Sequence, residues 1–105
     1  MREIITTIKA PKAIGPYNQA VLCKAQETIY VSGQIGLNPH SMEIINNNVA
    51  EQTHQALKNL AAVLGAANFS LTHVVKTTVY IKNMDDFDTI NEVYTEYFTS
   101  NFPAR

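Results

Sequence analysis

Apolar positions along the chain follow two rhythms, one of period two and one of period 3.6. Ile4, Ile5 and Ile8 predict a short opening strand that Pro11 ends. Two further apolar runs, Ala20–Ala25 and Thr28–Gln34, flank Gln26 and Glu27 at the spacing of a β-hairpin. Gly33, Gly36 and Asn38-Pro39 break the second run and turn the chain. The period then lengthens. Val49, Thr53, Ala56, Leu57, Leu60, Leu64 and Ala67 form one stripe of a helix. Asn48 and Glu51 have capping-box spacing at its start, Gly65 weakens its last turn, and Asn68 can close it.

Alternation returns over His73–Lys82. Val75, Thr77, Val79 and Ile81 take one face of a predicted fourth strand, and Val74, Lys76, Thr78 and Tyr80 the other. A second helix follows under an Asp85 cap, with Asp86 and Asp88 near its positive end. Its inner stripe reads Phe87, Ile90, Asn91, Tyr94, Phe98. The order β-β-β-α-β-α predicts an α+β sandwich with both helices on one sheet face. The other face then needs cover, most simply from another subunit.

Size and composition narrow this picture. A chain of 105 residues has room for one core, so residues 1–105 read as a single domain. A domain this small buries only about 60–65% of the surface its unfolded chain exposes, which favours self-association. The net charge is −1, with the six lysines and two arginines scattered, so no basic footprint for nucleic acid exists. Cys23 is the only cysteine and cannot form an internal disulfide, which fits a reducing compartment. No apolar run approaches the roughly 20 residues a membrane span needs. The N-terminus reads as neither a secretory signal nor a convincing transit peptide. The expectation is cytoplasmic, with a mitochondrial location left open.

Few residues offer chemistry. The four glycines are too dispersed for a phosphate loop. His40, His54 and His73 have no ligand-like spacing to one another or to Cys23, so no metal is expected. His54, three residues after Glu51, reads as part of a solvated face, and Cys23 as a small strand hydrophobe. More telling are polar residues that interrupt apolar patterns. Asn91 falls on an inner stripe, where an unpartnered amide costs about 1–3 kcal/mol. Tyr17 follows the stiff Gly15-Pro16, and Ser32-Gly33 ends a strand with a hydroxyl and an open backbone. Arg105 follows Phe102-Pro103, and arginine is the side chain best shaped to grip a carboxylate. Together they point to a small carboxylate-binding site.

The segments IGPYNQAV (Ile14–Val21), YVSGQIGLNP (Tyr30–Pro39), VVKTTVYIKNMDDFDTINEVYTEYF (Val74–Phe98) and FPAR (Phe102–Arg105) resemble, in order, the signatures of the RidA/YjgF family, also called L-PSP endoribonucleases. The resemblance covers nearly the whole chain. It implies a chorismate-mutase-like α+β sandwich with a mixed sheet, assembled as a homotrimer with clefts between subunits. It implies cofactor-free hydrolysis of 2-enamine and 2-imino acids, such as 2-aminoacrylate, to 2-keto acids and ammonia. By motif, Arg105 resembles the clamp on the substrate carboxylate and Tyr17 the tyrosine lining the cleft. Ser32 and Gly33 resemble the pair beside the ligand, and Asn91 the asparagine of the second helix.

Two departures accompany the resemblance. In the family the attacking water is associated with a glutamate on a late strand beyond the FPAR motif. Residues 1–105 hold no such segment, so the expectation is a domain truncated at its C-terminus. The family also often has Gly where Met42 stands, which predicts an altered turn there. Two other functions remain open at this point. One is an endoribonuclease or translation inhibitor, which the scattered charge disfavours. The other is a non-catalytic trimeric binder of small carboxylates.

Overall fold

The computed structural model describes residues 1–105. Three strands form an antiparallel sheet in the order β1 (Arg2–Ile5), β2 (Ala20–Cys23), β3 (Thr28–Val31). Its register pairs Ile5 with Ala20, Ala20 with Val31 and Leu22 with Ile29. Because side chains alternate across a strand, these five share one face. All five belong to, or pack against, a cluster that Val63 of α1 (Val49–Ala66) completes. Ile4, Val21, Cys23 and Tyr30 lie on the opposite face, where Tyr30 is 66% exposed. Ile8 lies beyond the strand in a turn and is exposed.

The start and end of α1 follow from its sequence. Asn48 Oδ1 accepts the Glu51 N–H at 3.0 Å. The reciprocal half of the capping box is replaced, because Asn46 takes both the Asn48 N–H and the Glu51 carboxylate. At the far end Asn68 adopts φ 63°, and the Asn68 and Phe69 N–H groups donate to Gly65 and Leu64 carbonyls. That is a Schellman closure with asparagine in the left-handed position.

The single stripe expected for α1 is two. Leu57 and Leu60 face α2 (Phe87–Tyr97), while Val63, Ala62 and Ala67 face the sheet. A helix lying between two partners buries more than one stripe, and a search for one face missed Val63 and the fully buried Asn59.

Several expectations are corrected in the second half. Residues 74–82 are extended but form no strand, and the sheet is antiparallel throughout where a mixed one was expected. A strand exists only against a neighbour. This segment has one parallel bridge, with Thr77 N–H donating to Ala104 O and Ala104 N–H to Val75 O. At its start, after a 3₁₀ turn at Leu71–His73, Val74 packs inward and Val75 is 83% exposed, the reverse of the expected faces, whereas Thr77 and Val79 face inward and Tyr80 outward as expected. The cap of the second helical region is Asn83, whose side chain accepts the Asp85 N–H at the head of a 3₁₀ turn, Met84–Asp86. Asp85 itself caps nothing. On α2 the buried residues are Val93 and Tyr94, followed by Phe98, while Phe87 stays 39% exposed. The helices do not share one sheet face. α1 lies on the sheet, and α2 lies beside α1 over the extended segment, contacting Val74 and Val79.

Candidate active site

The Gly36 loop illustrates how this chain places its functional ends. A Cβ on Gly36 would meet the Gln52 backbone of α1 at 2.8 Å, so only glycine allows the loop to lie this close. Asn59 holds the same loop, donating to Ile35 O and Leu37 O and accepting from Gln55. In the turn that follows, Met42 stands where the family it resembles often has glycine. Asn38 Oδ1 accepts from His40 and Ser41, and Met42 takes the left-handed conformation, φ 61°, that glycine favours. Met42 therefore carries left-handed strain at this position.

Gln19 does comparable work before β2. It is buried, accepts the Thr7 N–H, and donates to the carbonyls of Thr7, Ala10 and Pro11. This fixes the loop that leads into Ile14–Tyr17. Sequence reasoning passed over both Gln19 and Asn59. Asn59 interrupts an apolar helical face between Ala56, Ala62 and Val63, the kind of signal that singled out Asn91, whereas Gln19, beside Asn18 in a loop, carries none.

On the loop side, Tyr17 is half-exposed, and its hydroxyl accepts from Ile14 N–H at 3.5 Å. Its own hydrogen has no acceptor in the chain. Ser32 donates its hydroxyl to Asn18 O and its N–H to Gln19 O, tying the end of β3 to the same loop. With that hydrogen engaged, Ser32 Oγ can only accept further bonds. Beside it, a Cβ on Gly33 would touch nothing within 4 Å. Tyr17, Ser32 and Gly33 thus share one surface region through Asn18 and Gln19.

On the helix side, Arg105 Nη1 donates to Asn91 Oδ1 at 2.8 Å. Its guanidinium lies 4.8 Å from the Tyr94 ring centroid and 5.9 Å from that of Phe87. Phe87, Asn91 and Tyr94 stand one turn apart along one side of α2. Neither of the two ion pairs in the chain involves Arg105. The cation is held by neutral groups and keeps its charge for a ligand. The structure brings Arg105 and Asn91 together, but no hydrogen bond, ion pair or aromatic contact joins them to Tyr17, Ser32 or Gly33.

His54 corrects another expectation. It does not belong to a solvated Glu51 pair but reaches across to α2. There Nδ1 lies 3.0 Å from the Tyr97 hydroxyl, and Nε2 lies 3.6 Å from Glu96. Burial, and secondarily the Glu96 charge, push the Tyr97 phenol above its ordinary range. No three His, Cys, Asp or Glu side chains come together in a metal-binding group. No helix is long and apolar enough to cross a membrane.

A family model described as Endoribonuclease L-PSP matches residues 7–105. The chain belongs to the RidA/YjgF family. Within it, the human 2-iminobutanoate/2-iminopropanoate deaminase is 54% identical over 105 residues, covering all of this chain and 75% of the human protein. RidA from the Antarctic bacterium Psychrobacter sp. PAMC 21119 superposes with a TM-score of 0.92 at 39% identity, covering 98% of this chain and 81% of that one. The E. coli TdcF structure with bound serine gives 0.91 at 40% identity, with 98% and 81% covered. Two helices and a small antiparallel sheet of the RidA/YjgF type are therefore established for the chain.

Proposed function

We propose that this protein hydrolyses 2-imino acids such as 2-iminopropanoate, and their enamine tautomers, to 2-keto acids and ammonia. The observation that carries the reading is Arg105, a guanidinium fixed by Asn91 and two aromatic rings and paired with no carboxylate. Such a group is suited to grip a substrate carboxylate in two parallel hydrogen bonds. Half identity over the whole chain to the human deaminase supports the same reading, as does the serine bound to TdcF, an amino acid with its own carboxylate.

The chemistry then needs little machinery. A protonated imine carbon is electrophilic, and water adds to it to give a carbinolamine. Loss of ammonia, with the hydroxyl proton leaving, yields the keto acid. Orientation supplies much of the acceleration. Ser32 Oγ is free to accept a hydrogen from the iminium nitrogen, Gly33 leaves room beside it, and the Tyr17 hydroxyl hydrogen is free to bond the adding water.

These groups and Arg105 are not joined within one chain, which favours a cleft completed between copies. We infer a homotrimer, supported by the apolar open face with Tyr30, and by Val75 and Tyr80 at 83% and 92% exposure. Light scattering should report three chains per particle, and a stable monomer at micromolar concentration would count against it.

The functional test is to generate 2-aminoacrylate enzymatically and follow ammonia and pyruvate release. Addition of the protein should speed both above the spontaneous rate. A rate that does not change with protein concentration would refute the assignment.

A further inference from the structure

Thr77 is the point where the two supports of Arg105 meet. Its main-chain N–H holds Ala104 O at 2.8 Å, which fixes the backbone leading into Arg105. Its side-chain Oγ1 lies 2.9 Å from the Tyr94 hydroxyl, which fixes the ring beneath the guanidinium. Tyr94 is 5% exposed and rests against Phe98 at 4.6 Å between centroids, so the ring has little freedom to turn. A cation over a held π-face is attracted without being neutralised. An ion pair would hold Arg105 as firmly but would occupy the N–H groups a substrate needs. Here a single bond to Asn91 is used and the remaining N–H groups have no acceptor in the chain.

We propose that Tyr94, locked by Thr77, is a positioning residue that presents the Arg105 guanidinium to the substrate carboxylate, with Phe87 as a weaker second wall. The proposal rests on the reading of Arg105 as the carboxylate clamp and adds how that clamp is aimed. Tyr94 touches no reacting atom. Its contribution falls on binding, so its loss raises KM while kcat is held. Simple destabilisation would instead lower the active fraction, and so the apparent kcat, at unchanged KM.

The chain has only two arginines, Arg2 and Arg105, so the side-chain Nε–H region of a proton–nitrogen NMR spectrum holds two signals. Arg2→Lys assigns them. In the wild-type protein the Arg105 signal should lie upfield of the Arg2 signal, because a ring current acts on it. Tyr94→Leu should move it toward the Arg2 position and weaken pyruvate binding and raise KM by about three- to thirtyfold. Tyr94→Phe keeps the ring but loses the Thr77 bond, and should return KM only part-way, to a value between those of the wild type and Tyr94→Leu. Phe87→Leu, on a partly exposed side chain, serves if Tyr94→Leu does not fold, and should shift the signal in the same direction by less. If Tyr94→Leu, or Phe87→Leu in its place, leaves both the Arg105 signal and KM at wild-type values, the positioning role is overturned. Unchanged pyruvate affinity in Arg105→Ala would instead remove the clamp itself, whatever the NMR result.

Discussion

The sheet half and the helix half of the molecule are closed by different means. Around Ile5, Ala10, Ala20 and Val63 the core is aliphatic, and a continuous ladder of backbone hydrogen bonds surrounds it. The buried amides there, Gln19 and Asn59, spend their hydrogen-bonding capacity on loop carbonyls and neighbours within the chain. Around Leu57, Val93, Tyr94 and Phe98 the core mixes aliphatic and aromatic side chains, and the extended segment beneath it is bonded to a neighbouring strand-like segment only through Val75 and Thr77. Its polar residue, Asn91, spends its side-chain oxygen on an arginine that remains available to solvent. A polar group satisfied inside the chain makes structure, and one that holds a free charge at the surface makes a site. The contrast predicts that amide substitutions in the sheet half act on stability, while substitutions at Arg105 act on ligand affinity.

Arg105→Ala should give the largest effect. Loss of charge-assisted hydrogen bonds to a carboxylate costs about 2–4 kcal/mol, or roughly 30- to 1,000-fold in pyruvate affinity by calorimetry. The melting temperature should barely move, because the side chain is exposed and paired with no charge. Arg105→Lys should also bind poorly, since an ammonium cannot reproduce the fork. A fall in melting temperature without a fall in affinity would erase the distinction between the halves.

Asn59→Leu should do the reverse. It leaves Ile35 O, Leu37 O and Gln55 without their partner, at about 2–4 kcal/mol. For a domain of this size that lowers the melting temperature by about 10 °C or more. Gly36→Ala should follow at about 1–3 kcal/mol, because the added methyl meets main-chain atoms that cannot swing aside. Thermal unfolding of the purified variants checks both, and a wild-type melt for either would mean the loop is not docked on α1 as described.

The same contrast explains what the sequence revealed. Local signals were legible: the Asn48 cap, the Asn68 stop and the hairpin around Gln26 and Glu27 depend on residues a few positions apart. Long-range satisfaction was not. Nothing near Asn59 tells that its partners are Ile35 and Leu37, more than twenty residues away. Residues 74–82 carry the alternation of a strand, yet a ladder needs a neighbour that local pattern cannot supply. Arg105 and Asn91 were each singled out, from the residues and through the resemblance, but not as partners, and the ring that carries the guanidinium was read only as core.

Tyr97 tests the seam between α1 and α2. Its phenol is raised above the ordinary value of about 10, first by burial and then by Glu96. A raised phenol favours the neutral form in the folded state. Its stabilisation is therefore complete below about pH 10 and is lost as pH rises through the folded value. Tyr97→Phe removes the titrating group and the hydroxyl's contacts with His54. It should cost about 1 kcal/mol near neutral pH and show a flatter decline in melting temperature above pH 10. An alkaline decline as steep as the wild type's would show that this phenol is not felt by the fold.

The smallest effect concerns where each half places backbone strain. Four residues other than glycine have positive φ: Glu27 and Met42 in turns of the sheet half, Asn68 at the end of α1, and Asn101 on the path to Arg105. Asparagine tolerates the left-handed region because its short side chain bonds locally, while Glu and Met do not. Met42→Gly should thus relieve about 1–2 kcal/mol of left-handed strain. The gain is partly offset, because glycine gives the unfolded chain more freedom, worth about 0.4–1 kcal/mol. The net expectation is a stabilisation of about 0.5 kcal/mol, read as a rise of a few degrees in melting temperature. Asn101→Gly should bring no such rise, since asparagine there has less strain to relieve. A rise for Asn101→Gly as large as that for Met42→Gly would show that strain is spread evenly over the two halves.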